Sequence, residues 1–91
     1  MRRLAWDSSF RRAFKRRIRN DAALQEKIFD ALDRLVSDPY SPDLRTHKLL
    51  GQLDGLWACW VEYDCRIIFA FEADPQEIDE LIVLIDIGTH D

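Results

Sequence analysis

The stretch Leu56–Glu72, LWACWVEYDCRIIFAFE, decides how the chain must be read. Two apolar runs rich in β-branched and aromatic residues flank Tyr63-Asp64. They predict a strand LWACWVE, a tight turn and a second strand CRIIFAFE. Past ADPQE, a loop containing a proline, ELIVLIDIGT gives another strand. CRIIFAFE and ELIVLIDIGT are apolar on both faces, so they belong in the middle of a sheet rather than at its edge. Upstream, RTHKLL is expected as a strand leading into the turn GQLDG, whose two glycines permit tight geometry.

The N-terminal half follows a different period. Leu4 and Trp6 mark a short first strand, RRLAW, and Asp7-Ser8-Ser9 is a cluster of N-cap residues. In the helix that follows, Phe10, Ala13, Phe14 and Ile18 share one face. Arg17 falls inside that apolar arc, where it must extend its charge to solvent or find a partner. Asn20-Asp21 interrupts this helix and caps the next, whose stripe is Leu24, Ile28, Ala31, Leu32 and Leu35. Pro39 stops it, and Asp38 is pushed out of helix by the proline that follows. A break this short predicts an antiparallel helical hairpin. The expected fold class is α+β: an N-terminal strand and a helical hairpin packed on a mostly antiparallel sheet of four to five strands.

Ninety-one residues make one domain, spanning 1–91. No apolar run reaches the roughly 20 residues of a bilayer span, and MRRLAWD lacks the apolar region of a secretory signal. A cytoplasmic protein with no membrane partner is expected, with Cys59 and Cys65 reduced. A zinc site from Cys59, Cys65, His47 and His90 lacks the close ligand pairing such sites use, and no metal or other cofactor is expected. The net charge of -4 conceals an asymmetry: residues 1–19 carry eight bases and one acid, residues 20–91 five bases and 16 acids. Arg11, Arg12, Lys15, Arg16 and Arg19 form the outer arc of the first helix. That arc can face a polyanion, or simply be a solvated helix surface.

No nucleophile elbow, phosphate-binding loop or dinucleotide fingerprint occurs. The residues left to carry chemistry are His47, Lys48, Asp64, Arg66, Asp86 and His90. Each can be a solvated or ion-paired surface group. Their places beside strand ends and hairpin tips are where a rigid scaffold holds convergent groups.

The ordered set HKLLGQLDGLWACWVEYDCRIIFAFE and IVLIDIGTH resembles the RelE/ParE superfamily of toxins from bacterial toxin–antitoxin pairs. It is closest to the mRNA-interferase branch of RelE, YoeB and YafQ. Residues 45–90 carry the resemblance, and the strand and two helices before them agree in order. It implies a metal-independent endoribonuclease that cuts mRNA, usually on the ribosome, through attack of the ribose 2′-OH and a 2′,3′-cyclic phosphate. By the same resemblance His47 is the base, Arg66 holds the phosphate, His90 is the acid, Asp64 orients a histidine and Lys48 contacts substrate phosphate. The implied partners are an antitoxin, mRNA and the ribosome, contacted by the basic arc; operator DNA is reached only through the antitoxin.

Two departures from the family pattern imply weakened catalysis. Trp60 stands where relatives place a basic residue or histidine, and the chain ends at Asp91 without the aromatic that usually follows the last histidine. Trp60 can stack on an exposed base or fill the sheet face. If Tyr63-Asp64 is a two-residue turn in a regular hairpin, Trp60 and Arg66 lie on opposite faces. A turn with an odd number of residues pairs them, and the family pattern favours that register. A gyrase-inhibiting toxin of the ParE kind, and a degenerate toxin that only binds its antitoxin, stay open as alternatives.

Overall fold

One carboxylate ends the first strand and starts the first helix. The Asp7 side chain accepts a hydrogen bond from the Ser9 amide at 3.0 Å, capping α1 (Ser8–Arg17) directly after β1 (Arg3–Trp6). The computed structural model describes residues 2–73, 75–76 and 80–89. Phe10 and Ala13 are buried on the inner face of α1, while all five residues of the basic arc are exposed. Asp21 repeats the capping device at 3.0 Å to the Leu24 amide and opens α2 (Ala22–Ser37). Asp38 ends it in extended backbone before the proline. The predicted stripe Leu24, Ile28, Ala31, Leu32 and Leu35 is buried throughout, and Phe14 packs on Phe29 with ring centroids 5.5 Å apart.

β2 (His47–Lys48), β3 (Trp57–Glu62), β4 (Cys65–Ala73) and β5 (Glu80–Gly88) complete a five-stranded sheet in the order β1-β5-β4-β3-β2. Only β1 and β5 run parallel; the other neighbours are antiparallel. The two strands with apolar residues on both faces, β4 and β5, are interior, as their composition predicts. Phe69, Ile67, Ile82 and Leu84 meet the helices, with Phe10, Ile28 and Leu35 in the same core. On the other face, Leu49, Ala58 and Ile68 form a smaller cluster under the loop that joins β2 to β3. Ala70 and Val83 remain half-buried there, opposite each other in register.

RTHKLL departs from expectation. Only His47 and Lys48 pair in the sheet, because a 3₁₀ turn at Pro42–Leu44 precedes them and Arg45 takes a left-handed conformation at φ 49°. That reversal breaks the extended run before a longer strand can form. The glycine-bearing turn is as predicted: Gly51 and Gly55 both have positive φ, and Leu53 closes it with its carbonyl on the Leu56 amide. No helix among the described residues is long and apolar enough to cross a membrane.

Candidate active site

Two extra residues, one on each side of β4, decide what stands beside Arg66. Tyr63-Asp64 is a two-residue turn, with Glu62 opposite Cys65. The expected odd turn is therefore not what sets the register. Val61 instead bulges out of β3, so the next pair is Trp60 with Arg66, and these two share a face after all. On the other flank, Leu84 pairs with Phe69 and Asp86 with Ile68, leaving Ile85 as a second bulge. Gly88 thereby falls opposite Arg66. Without Ile85 as the extra residue, Asp86 would point into the core opposite Ile67 and Ile87 would lie beside the arginine. A buried unpaired carboxylate is costly enough to forbid that register.

The second bulge is held by side chains. Its carbonyl, that of Ile85, lies 2.6 Å from the Ser9 hydroxyl, which is also 2.5 Å from the Asp7 carboxylate. With one proton to give, the hydroxyl is shared between these two acceptors. Beyond the bulge the Asp86 carboxylate accepts from the Ile87 amide at 2.8 Å. Together these bonds fix the direction in which β5 leaves the sheet.

The face so assembled contains a cleft of about 190 Å³ lined by Arg45, His47, Trp60 and Arg66. His47 reaches it because it pairs with Ala58, on the side of the sheet that carries Trp60. Its Nδ1 lies 2.8 Å from the Arg45 carbonyl. A carbonyl can only accept, so Nδ1 carries a proton, and in the neutral ring that tautomer leaves the lone pair on Nε2. The Arg45 guanidinium covers the Trp60 ring at 4.8 Å from its centroid. The left-handed backbone at Arg45 costs on the order of 1 kcal/mol for a residue with a Cβ. It aims the Arg45 carbonyl at His47 and its side chain at Trp60. Arg66 Nε is buried and makes no hydrogen bond among the described residues. A methyl at Gly88 would rest in ordinary contact, 3.9 Å from Nε and 3.7 Å from the Ile68 Cδ1.

Of the residues singled out from sequence, His47, Arg66 and Trp60 come together. Lys48, next along β2, lies over Trp57 at 5.6 Å and borders a separate cavity with Leu49 and Leu50. Asp64 is exposed at the hairpin tip, where its backbone carbonyl accepts from the Arg17 guanidinium. That bond gives Arg17 a partner at one terminal nitrogen, while its buried Nε makes no hydrogen bond among the described residues. His90 lies outside the described residues; the strand leading to it ends at Gly88, across from Arg66. Cys59 and Cys65 face the core, on the opposite side of the sheet from His47. Burial pushes the Cys59 thiol up to about 12 and raises Cys65 as well, against the opposing pull of Arg17. Arg45 was missed by sequence reasoning. No strand period could have found it, because its backbone is left-handed and lies outside β2.

A family model described as bacterial toxin of type II toxin–antitoxin system, YafQ, matches residues 2–91. Among curated proteins no relative matches the chain. Similar solved structures include a YoeB/ParE toxin from Agrobacterium tumefaciens, with TM-score 0.78 at 21% identity over 98% of this chain and 99% of that one. YafQ from E. coli strain BL21(DE3) gives TM-score 0.75 at 19% identity, covering 99% and 94% of the two chains. The E. coli DinJ–YafQ toxin–antitoxin complex matches with TM-score 0.71 at 19% identity, over 96% of this chain and 90% of that chain. At these identities the structural likeness speaks for the fold.

Proposed function

The chain belongs to the YafQ family of toxins from bacterial type II toxin–antitoxin systems, and on that premise we propose that it is a metal-independent endoribonuclease acting on mRNA at the ribosome. The observation that carries this reading is that one cleft holds His47, with its Nδ1 on the Arg45 carbonyl, and Arg66, with a buried Nε that makes no hydrogen bond among the described residues. His47 Nε2 takes the proton of a ribose 2′-OH. The 2′-oxygen forms a bond to phosphorus, and the bond from phosphorus to the 5′-oxygen breaks. Arg66 stabilises the charge that gathers on the equatorial oxygens. His90 returns a proton to the departing 5′-oxygen, leaving a 2′,3′-cyclic phosphate. Asp64 at the hairpin tip and Lys48 do not line the cleft, and neither takes part in the step. Trp60 fills the position of a cation or proton donor, so the activity is attenuated.

The test is to add the protein to a translating extract, map new mRNA 3′ ends and determine whether they carry a cyclic phosphate. His47→Ala, Arg66→Ala and His90→Ala should each slow cleavage by about 10²- to 10⁴-fold, the span of general acid–base contributions. Undiminished cleavage by any of them, in folded protein, removes that residue from the site. The physiological partner is an antitoxin whose segment folds against the half-covered face carrying Ala70 and Val83. Its solved counterpart is the E. coli DinJ–YafQ complex. Purification from the native operon without a small companion chain would count against it.

A further inference from the structure

Residues 20–91 hold 16 acids and only five bases: Lys27, Arg34, Arg45, Lys48 and Arg66. Four of those five line two adjoining cavities. Arg45 and Arg66 border the cleft described above. Lys27, Arg34 and again Arg45 border a second cavity of about 300 Å³, between α2 and the segment Pro42–Arg45. Trp60 is common to both as well, so the Arg45–Trp60 stack is a shared wall rather than the end of one site. In a body this acidic, gathering four of the five remaining cations around two cavities that share a wall suits a chain of phosphates.

We propose that the second cavity is a subsite for the nucleotide next to the scissile phosphate, so that RNA passes from the cleft across Arg45 and Trp60 into it. This rests on the ribonuclease reading above and adds a second binding position to it. The bland explanation, that these are ordinary ion pairs, accounts for only part of the lining. Lys27 is 2.8 Å from Glu62 and Arg34 is 3.6 Å from Asp43, but both cations are more than half exposed. Exposed pairs of this kind contribute little and yield to a phosphate at small cost. Asp30 and Asp43 also border the cavity. Their charges oppose a bare anion, yet carboxylates accept from the N–H donors on base edges, so the mixed lining fits a whole nucleotide. Arg45 accepts a strained backbone in the one place where its side chain serves both cavities.

The experiment measures binding of uncleavable 2′-deoxy oligonucleotides, two, three and four nucleotides long with randomised bases. Wild type is compared with the double variant Lys27→Gln/Arg34→Gln. Wild-type affinity should rise at least about fivefold from two to three nucleotides. The double variant should lose roughly tenfold on the longer probes, about one charge-assisted hydrogen bond, and less than about twofold on the dinucleotide. Inorganic phosphate should not displace the longer probes. Three results overturn the subsite: no gain with length in wild type, equal loss at every length, or displacement by inorganic phosphate. Cleavage is measured separately on mRNA in the translating extract. Length-dependent binding without cleavage would refute the ribonuclease reading and leave the subsite standing, whereas cleavage without length dependence would refute the subsite alone.

Discussion

Replacing Trp60 by histidine should raise the cleavage rate while lowering stability, and both magnitudes follow from its position. The residue stands directly opposite Arg66 on the cleft face, half-buried, under the Arg45 guanidinium. Histidine there puts a proton donor beside the site where phosphate charge develops. One such donor is worth roughly 3 kcal/mol in the transition state, an increase of about 10²-fold. The costs are separate. Breaking the Arg45–Trp60 stack removes about 0.5–1 kcal/mol, and giving up half-buried indole area removes about 1–2 kcal/mol. A destabilisation near 2 kcal/mol should lower Tm by roughly 10 °C in a domain of this size and still leave a folded protein. The assay is the rate of appearance of cyclic-phosphate ends in the translating extract, with Tm measured by circular dichroism on the same samples. Because the gain needs Arg66 to hold the phosphate, Trp60→His combined with Arg66→Ala should show none of it. A folded Trp60→His variant with an unchanged cleavage rate refutes the role given to Trp60, and a gain that survives Arg66→Ala refutes the role given to the arginine.

Ser9→Ala takes the hydroxyl away from the Ile85 carbonyl and the Asp7 carboxylate, and should cost about 1–2 kcal/mol in urea unfolding. An unchanged midpoint would mean that Asp86 alone fixes the β5 bulge. Asp7 is held below its ordinary carboxylate range, chiefly by the Ser9 side-chain hydrogen bond and then by the Ser9 amide. Its ionised form is thus favoured in the folded state, so the stability it contributes is complete above the unfolded value near 3.8 and is lost as pH falls through the lower folded value. Asp7→Asn keeps the cap but cannot titrate, and should flatten the loss of stability below about pH 4; an acid limb identical to wild type would refute this linkage. Removing three charges from Arg11, Arg12, Lys15, Arg16 and Arg19 should weaken ribosome binding and reduce its salt slope by roughly 0.7–0.9 for each phosphate no longer neutralised. Full affinity with the original slope would make the arc a solvated surface.

The elements of this fold are set by interactions within a few residues, and for that reason they could be read directly. Asp7 and Asp21 cap helices through bonds two and three residues away. The stripe from Leu24 to Leu35 repeats at the helical period, and the two-faced apolar runs of β4 and β5 require interior strands. His47 and Arg66 were legible as site candidates through ordered motifs. Their convergence was not, because side-chain direction in a strand depends on the parity of every residue between two positions. One residue at Val61 and one at Ile85 set that parity, and each bulge settles where it does through interactions made across the sheet. No local pattern announces that a Ser9 hydroxyl, 76 residues away, meets the Ile85 carbonyl, or that a buried Asp86 is the penalty for a slipped strand. Arg45 belongs to the same class. Its residue type permits many roles, and only the turn from Pro42 to Leu44, closing under α2, commits its backbone to a left-handed state and its guanidinium to Trp60. Sequence determined which elements form and which residue types could act; the tertiary structure decided which of them face each other, because register and bulges are fixed by long-range packing.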